Sequence, residues 1–283
     1  MDIRRISRRL RMVARFVAIL GFTSTMVMTA AHSDETSKQY VREQRTVSVQ
    51  GVKETWQLVW DGKPSTVCGP DEVYMAITCP CSGFAYAEYG KLWLVRRRGG
   101  REIERMDIVP LFGKSDYPEA TKVKGTAYLQ RWPLEINDLD REDRGDPKLV
   151  SEIKRRPAPT IMQFADYDRD GNATEFLIQV GTLPCGKLQF AAIGVSANEP
   201  HLHALTTVGK PDVPLIMPVN AWEALLKSPH PHTVTTWPCG DHGSDVRNDL
   251  VVSARKGEIR VKSLSLSCPS DNSTGRLIEE TDQ

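Results

Sequence analysis

The sequence predicts a mainly β chain, built as a sandwich or a propeller-like sheet array with one or two short helices. Three observations predict it. Short runs rich in Val, Ile, Thr, Tyr and Trp recur along the chain, Gly, Pro, Asn and Asp separate them, and only one segment has the period and boundaries of a helix.

The chain opens with Arg4, Arg5, Arg8, Arg9, Arg11 and Arg15 ahead of a short apolar run, residues 16–30, followed by small residues at Ala31 and Ser33. That order of charge, apolar run and small residues marks residues 1–33 as a secretory signal peptide, with cleavage expected after Ser33. The run falls short of the roughly 20 residues a spanning helix needs, and Thr and Ser interrupt it, so no stable membrane span is expected after cleavage. Ser7-Arg8-Arg9 is similar to the twin-arginine export signal, but Arg11 stands where that signal carries an apolar or aromatic residue, which leaves the export route open. The expected location is periplasmic or extracellular. Cleavage removes six of 37 basic and one of 36 acidic side chains, leaving 31 and 35 and a formal charge of −4. Nucleic-acid binding rests on clustered Lys and Arg against phosphate, so a mildly acidic exported chain is not expected to have nucleic acid as a partner.

The mature chain reads as a single disulfide-braced β-rich domain over residues 34–269. Its first strands are Thr46–Val49 and Thr55–Trp60, and the four-residue spacing of Trp56 and Trp60 puts both indoles on one face, where a core is expected. Leu92–Val95 and Ile103–Met106 then flank Gly99-Gly100, a hairpin turn with solvated arginine shoulders at Arg96, Arg97, Arg98 and Arg101. Strand Thr126–Gln130 follows, and residues 137–147, dense in charge and without apolar period, are expected to be a linker or surface loop. Strands Thr160–Phe164 and Phe176–Val180 bracket an acidic loop, and Leu188–Val195 continues the sheet. The one helix runs over Ala221–Lys227, with Asn220 as its cap and Pro229 as its stop. Leu250–Ser253 and Ile259–Val261 complete the strands, and residues 270–283 form a polar tail expected to fray.

The acidic loop carries the clearest chemistry. Asp166, Asp168 and Asp170 alternate and Gly171 follows at once. Calcium takes six to eight oxygens from a flexible loop, so acids two apart fold inward while the glycine makes the sharp turn. The expected ligands are Asp166, Asp168, Asp170, the Asn172 backbone carbonyl and Glu175. Glu175 is expected to reach the ion only if a bulge rotates it inward, since Thr174 holds the ninth loop position. A helix-flanked calcium loop is excluded because both flanks read as strands and its twelfth position is Leu177.

This strand, Asp-x-Asp-x-Asp-Gly, strand pattern resembles the calcium loops of FG-GAP and VCBS repeat proteins over some fifteen residues, with Asp166, Asp168 and Asp170 matching residue by residue. The chain departs from them in having Thr174 where an acid is usual and in lacking a second copy. As a whole it also resembles exported bacterial proteins of uncharacterised function, which pair such a loop with segments like Leu183-Pro184-Cys185-Gly186-Lys187 and Trp237-Pro238-Cys239-Gly240-Asp241-His242-Gly243.

Cys68, Cys79, Cys81, Cys185, Cys239 and Cys268 all lie in the mature chain, and an even count in an oxidising compartment predicts disulfides. Of fifteen pairings, the three that join Cys79 to Cys81 across Pro80 are excluded by bond geometry, and the others remain open. Three cysteines precede the charged stretch and three follow it, so full oxidation needs a bridge between the halves.

These features together predict an exported, calcium-stabilised binding or structural protein whose partner is a protein or a glycan, with no catalytic residue assigned. Two other readings stand beside it. One is a hydrolase-like enzyme using the loop Cys239–Asp245, which gathers thiol, imidazole, hydroxyl and carboxylates. The other is a periplasmic redox or copper protein using Cys79 and Cys81 with the histidine pairs His201/His203 and His230/His232.

Overall fold

The computed structural model describes residues 38–78, 81–113, 123–183, 187–269 and 275–283. The expected signal peptide, Cys79 and Cys185 lie outside these residues. Three antiparallel sheets account for the strands. The first has the order β1 (Gln39–Val49), β2 (Val52–Val67), β3 (Ala87–Arg98), β4 (Arg101–Asp107), with β5 (Ala127–Gln130) pairing the other part of β3. The second joins β6 (Glu175–Leu183), β7 (Lys187–Gly194) and β8 (His203–Ala204), with β9 (Ile216–Met217) also on β7. The third runs β10 (His232–Trp237), β11 (Val246–Arg255), β12 (Glu258–Ser267), β13 (Leu277–Asp282). Five short α-helices occur among the described residues: α1 (Val73–Ile77), α2 (Val109–Phe112), α3 (Asp138–Asp143), α4 (Leu149–Ile153) and α5 (Val219–Lys227). None is long and apolar enough to cross a membrane.

The alternation of side chains along β6 and β7 sets the layering. Phe176, Ile178, Val180, Ala191 and Ile193 point to one side, where they pack with Trp56, Leu58, Trp60, Leu92 and Leu94 of the first sheet. Ala192, with the half-buried Leu177 and Phe190, packs on the other side against Trp222 and Leu225 of α5 and against Leu250, Val252, Ile259 and Val261 of the third sheet. The middle sheet is therefore covered on both faces, which is why its sequence reads as near-continuous apolar runs. The outer sheets keep a solvent face and alternate. This is the sandwich alternative of the two expected architectures, extended by a third layer.

Trp56 and Trp60 share the inner face as expected and are buried together. Gly99 and Gly100 turn the β3–β4 hairpin with φ of +56° and +81°, a conformation glycine adopts without strain. The arginine shoulders are only partly solvated. Glu54 points inward on β2, and Arg96 is buried with it, its Nε 2.8 Å from one carboxylate oxygen while Trp56 Nε1 donates to the same oxygen at 3.1 Å. Burial raises and the arginine hydrogen bonds lower the Glu54 pKa, and the net shift is downward, so the pair stays charged.

Three expectations change at the edges of the fold. Residues 137–147 are not a plain loop: they contain α3, because the buried Asp138 carboxylate accepts two 2.7 Å hydrogen bonds from Arg156 and so ties the segment down. Helix α5 starts at Val219, with Pro218 rather than Asn220 at its entry, since the fixed φ of proline suits the residue before the first turn. The tail does not fray throughout. Its last residues form β13, which pairs with β12 through backbone bonds and the Lys262–Glu280 ion pair at 2.6 Å.

Among the described residues, two disulfides brace the ends of this arrangement. Cys68–Cys81 closes the small cluster of Val73, Ala76, Tyr86, Leu149 and Ile153, and Cys239–Cys268 ties the β10–β11 connection to the end of β12. The second closes a loop with a sequence separation of 29. Replacing both its cysteines by serine should lower stability by roughly 3–4 kcal/mol, read as the shift of a urea midpoint in non-reducing buffer. An unchanged midpoint would show that the bridge contributes nothing.

Candidate metal centre

Asp166, Asp168 and Glu175 present carboxylate oxygens that all lie within 4.8 Å of one another, and among the described residues they are the one His, Cys, Asp or Glu cluster with that geometry. The chain reaches this arrangement through a loop whose two arms meet at a single bridge, Ala165 with Glu175, the incoming arm being extended and the outgoing arm being β6. Gly171 turns at φ +100°, and Arg169 also adopts a left-handed φ of +56°. Backbone N–H groups hold the carboxylates in place. Asp170 N donates to Asp166 Oδ1 at 2.9 Å and to Asp168 Oδ1 at 3.0 Å, Gly171 N donates to Asp166 Oδ2 at 3.1 Å, and Tyr167 N donates to Glu175 Oε2 at 3.0 Å.

No bulge is needed to bring Glu175 in. It is the first residue of β6 and lies on the Leu177 side, over which the loop folds back, and the register shift in the β6–β7 pairing comes later, between Gln179 and Gly181. Thr174 points elsewhere, and its hydroxyl lies 2.7 Å from Val195 O and 2.8 Å from Glu175 Oε1. The approach of Val195 is possible because Gly194 has no side chain; a Cβ there would stand 2.2 Å from Thr174 O. Asp170 is not one of the three. Asp170 Oδ1 accepts from Asn172 N at 2.7 Å and from Asn172 Nδ2 at 2.9 Å, and its Oδ2 accepts from Ala197 N.

The electrostatics are those of a site with too much negative charge for its burial. Glu175 is 0% and Asp168 1% exposed. Burial first, then the Asp168 charge, pushes the Glu175 carboxyl up to about 9, against the opposing hydrogen bonds from Thr174 and Tyr167. Burial likewise raises Asp168, with the Asp170 and Asp166 charges adding and the Ser196 hydroxyl and Asp170 N–H opposing. Asp168 Oδ2 is buried with no hydrogen-bond partner. Such an oxygen has lost its water without a protein donor in exchange. A bound cation would supply the missing partner and neutralise the group, so the triad could hold a metal ion. All its donors are oxygens, a set suited to hard cations rather than to copper or zinc.

The loop is also a joint. Gly257 N donates to Asp168 O and Lys256 N to Arg169 O, both at 3.0 Å, which docks the β11–β12 turn onto it. Arg169 Nη1 donates to the Leu225 and Leu226 carbonyls at 3.1 Å, satisfying groups that the end of α5 leaves open. Beyond Ala197 the chain reaches the first sheet, where Arg96 Nη1 donates to Pro200 O at 2.9 Å and Leu202 N donates to Glu104 Oε1 at 2.8 Å. Sequence reasoning gave no weight to Val195, Ser196 and Ala197, which border the triad from 20 or more residues away and carry no acid to signal it.

The other expected sites take different forms. Cys239 is bonded to Cys268, Asp241 pairs with Lys187, and the Ser244 hydroxyl donates to Val246 O at 2.7 Å, so the loop Cys239–Asp245 is pinned by structural contacts. The His242 ring lies over Trp237, with centroids 5.3 Å apart. Cys81 is bonded to Cys68 and is therefore not a thiol ligand. His201 stands 3.3 Å from Glu104, His203 meets Ser196, and His232 meets Ser228.

The Thr174 hydroxyl has one proton and two acceptors. Both contacts are satisfied when Glu175 is protonated and donates to Thr174 Oγ1, which then donates to Val195 O. The metal-free fold therefore binds a proton at Glu175 that the unfolded chain has already released above its ordinary value near 4.5. Stability of the chelator-treated protein should fall as pH rises from about 5 to 9, by up to about 1.4 kcal/mol per unit. Glu175→Gln, whose amide can make both hydrogen bonds, should flatten that slope and stabilise the metal-free protein at pH 8. Identical slopes for the two proteins would contradict the assignment.

Comparison of the chain with family models, curated proteins and solved structures finds no match.

Proposed function

We propose that this is an exported, calcium-stabilised β-rich protein that serves as a binding or structural module. The observation that carries the reading is the buried triad of Asp166, Asp168 and Glu175 with its unpartnered Asp168 oxygen. Calcium is favoured over other cations by the donor set, which is all oxygen, and by a flexible loop of alternating acids closed by glycine. Magnesium demands tighter octahedral geometry and keeps its waters, which fits poorly with a triad in which Asp168 and Glu175 have almost no exposure. Asp166, Asp168 and Glu175 are the ligands in this reading, and Asp170 and Asn172 shape the loop behind them. The ion offsets two of the triad's three negative charges and fixes the joint on which the sheets meet. The two disulfides and the arginine-rich leader of the sequence support an oxidising, exported setting.

A partner has a surface suited to it beside the same loop. A cleft of about 360 Å³ runs between β5 and β6–β7 and is lined by Tyr128, Tyr167, Phe190, Gln130, Gln163 and Gln179, among others. The partly exposed Phe190 ring and the glutamine amides suit a glycan or an extended peptide. Tyr167 belongs to the metal loop, and its ring meets Trp222 edge-on at 5.7 Å, so ordering the loop also sets one wall of the cleft.

Calcium at a hundred times its dissociation constant should stabilise the native protein by about 2.7 kcal/mol, visible as a rise in melting temperature that chelation reverses. Asp168→Ala should abolish the response. A melt indifferent to both calcium and chelator would overturn the reading.

A further inference from the structure

The middle sheet ends at β6, and the open edge of that strand borders the cleft of about 360 Å³. β6 pairs with β7 on one side, and on the other its described partner is Ala165, at Glu175 alone. That bridge fixes which backbone groups face outward. Ala165 N donates to Glu175 O at 2.8 Å and Glu175 N to Ala165 O at 3.3 Å, so Glu175 turns its N–H and C=O away from β7. Strand alternation turns those of Leu177 and Gln179 the same way, ahead of the register shift that follows Gln179. The far side of β7 agrees with this register. Ala192 O, opposite Leu177, accepts from Leu205 N at 2.9 Å, and Phe190 O, opposite Gln179, accepts from Trp222 Nε1 at 3.0 Å. The incoming arm does not extend the bridge, because Gln163, which would come opposite Leu177, gives its N–H to Ile161 O at 2.8 Å. Leu177 and Gln179 therefore present unpaired strand backbone to the cleft they line.

The remaining groups of the cleft favour a peptide over a glycan. Gln163 Nε2 donates to Thr160 O at 3.2 Å and Gln179 Nε2 to Gly83 O, so both amides are engaged within the chain, whereas the strand backbone is not. The floor of Leu177, Leu188 and Phe190 is apolar and suits alternate side chains of a strand laid beside β6. Glu223 on α5 is the one charged residue lining the cleft among the described residues, so the charge that complements it is positive. The β5 bank is less open, since Gln130 O already accepts from Arg42 Nη2 at 3.0 Å. We propose that this edge captures an extended basic peptide, which adds to β6 as a strand through the N–H and C=O groups of Leu177 and Gln179 and sets a lysine or arginine against Glu223. The proposal rests on the reading of the cleft as the partner surface and narrows its occupant to one class. Main-chain pairing supplies the hold, the floor selects apolar side chains at every second position, and the carboxylate selects the cation at the α5 wall.

The test uses the exported full chain with calcium present and the capped peptide acetyl-Val-Thr-Val-Thr-Lys-Thr-amide as probe. In the free protein the Leu177 and Gln179 amides should exchange with deuterium at least about 100-fold faster than those of Phe176 and Ile178, and the peptide should slow the first pair at least about 10-fold. Two forms of the peptide, N-methylated at alternate amides in the two phases, separate strand addition from side-chain contact. One should bind as the parent does and the other at least about 10-fold more weakly, because an edge bonds only every second residue. Gln179→Pro removes an N–H that β7 does not use and should abolish binding with the fold kept, whereas Gln179→Ala should bind. Glu223→Gln should weaken binding about 3-fold at low salt and match the unaltered protein at about 1 M salt. Leu177 and Gln179 amides as protected in the free protein as their neighbours, equal losses from both N-methylated phases, full binding by a folded Gln179→Pro, or protection by chitohexaose and not by the peptide would each overturn the proposal. The calcium melt of the same samples reports the metal reading separately: binding that persists without a calcium response leaves the proposal standing, and a calcium response without peptide binding removes the proposal alone.

Discussion

Three carboxylates held within 4.8 Å of one another, two of them almost wholly out of water, cannot all stay charged without a partner. The chain meets that constraint at the point where its layers join. The loop from Asp166 to Glu175 begins β6 of the middle sheet, receives the β11–β12 turn on its backbone carbonyls, caps α5 through Arg169 and holds Ala197 through Asp170. Leaving the triad uncompensated would strain every one of those contacts at once. Protonation of Glu175 is one relief, and a cation, which the triad could hold, would be the other, competing for the same oxygens. Because the fold is built around this joint, a cation bound there would couple its stability to proton and metal concentration together.

The middle sheet explains why a loop can have such reach. Covered on both faces, it transmits position between the outer sheets: Phe176 and Ile178 face one core, while Leu177 and Ala192 face the other. A shift of one residue at the start of β6 would turn Glu175 out of the triad and exchange the two faces. Gly194 guards that register from the neighbouring strand, since any side chain there would strike the Thr174 carbonyl. The site and the core are therefore specified by the same alternation.

Much of this was legible in the sequence because the relevant chemistry is local. Acids two apart followed by glycine, tryptophans four apart on one strand, and a Gly-Gly turn between apolar runs each carry their geometry within a few residues. What was not legible depends on distant partners. Asp170 matches the loop pattern, and its Oδ2 also accepts from the Ala197 N–H, 27 residues on. Residues 137–147 read as solvated because nothing local reveals that Asp138 meets Arg156. β13 is exposed on both sides, so no apolar period marks it, and its backbone pairing with β12 forms it. Pro218 begins α5 by its fixed φ, leaving Asn220 a position inside the helix.

Elemental analysis of the purified protein, after exchange into chelator-treated buffer, tests the central claim most directly. One calcium per chain is the predicted result, together with its loss from Asp168→Ala. Protein that is folded and carries no stoichiometric calcium, or that carries zinc or copper in its place, would contradict it.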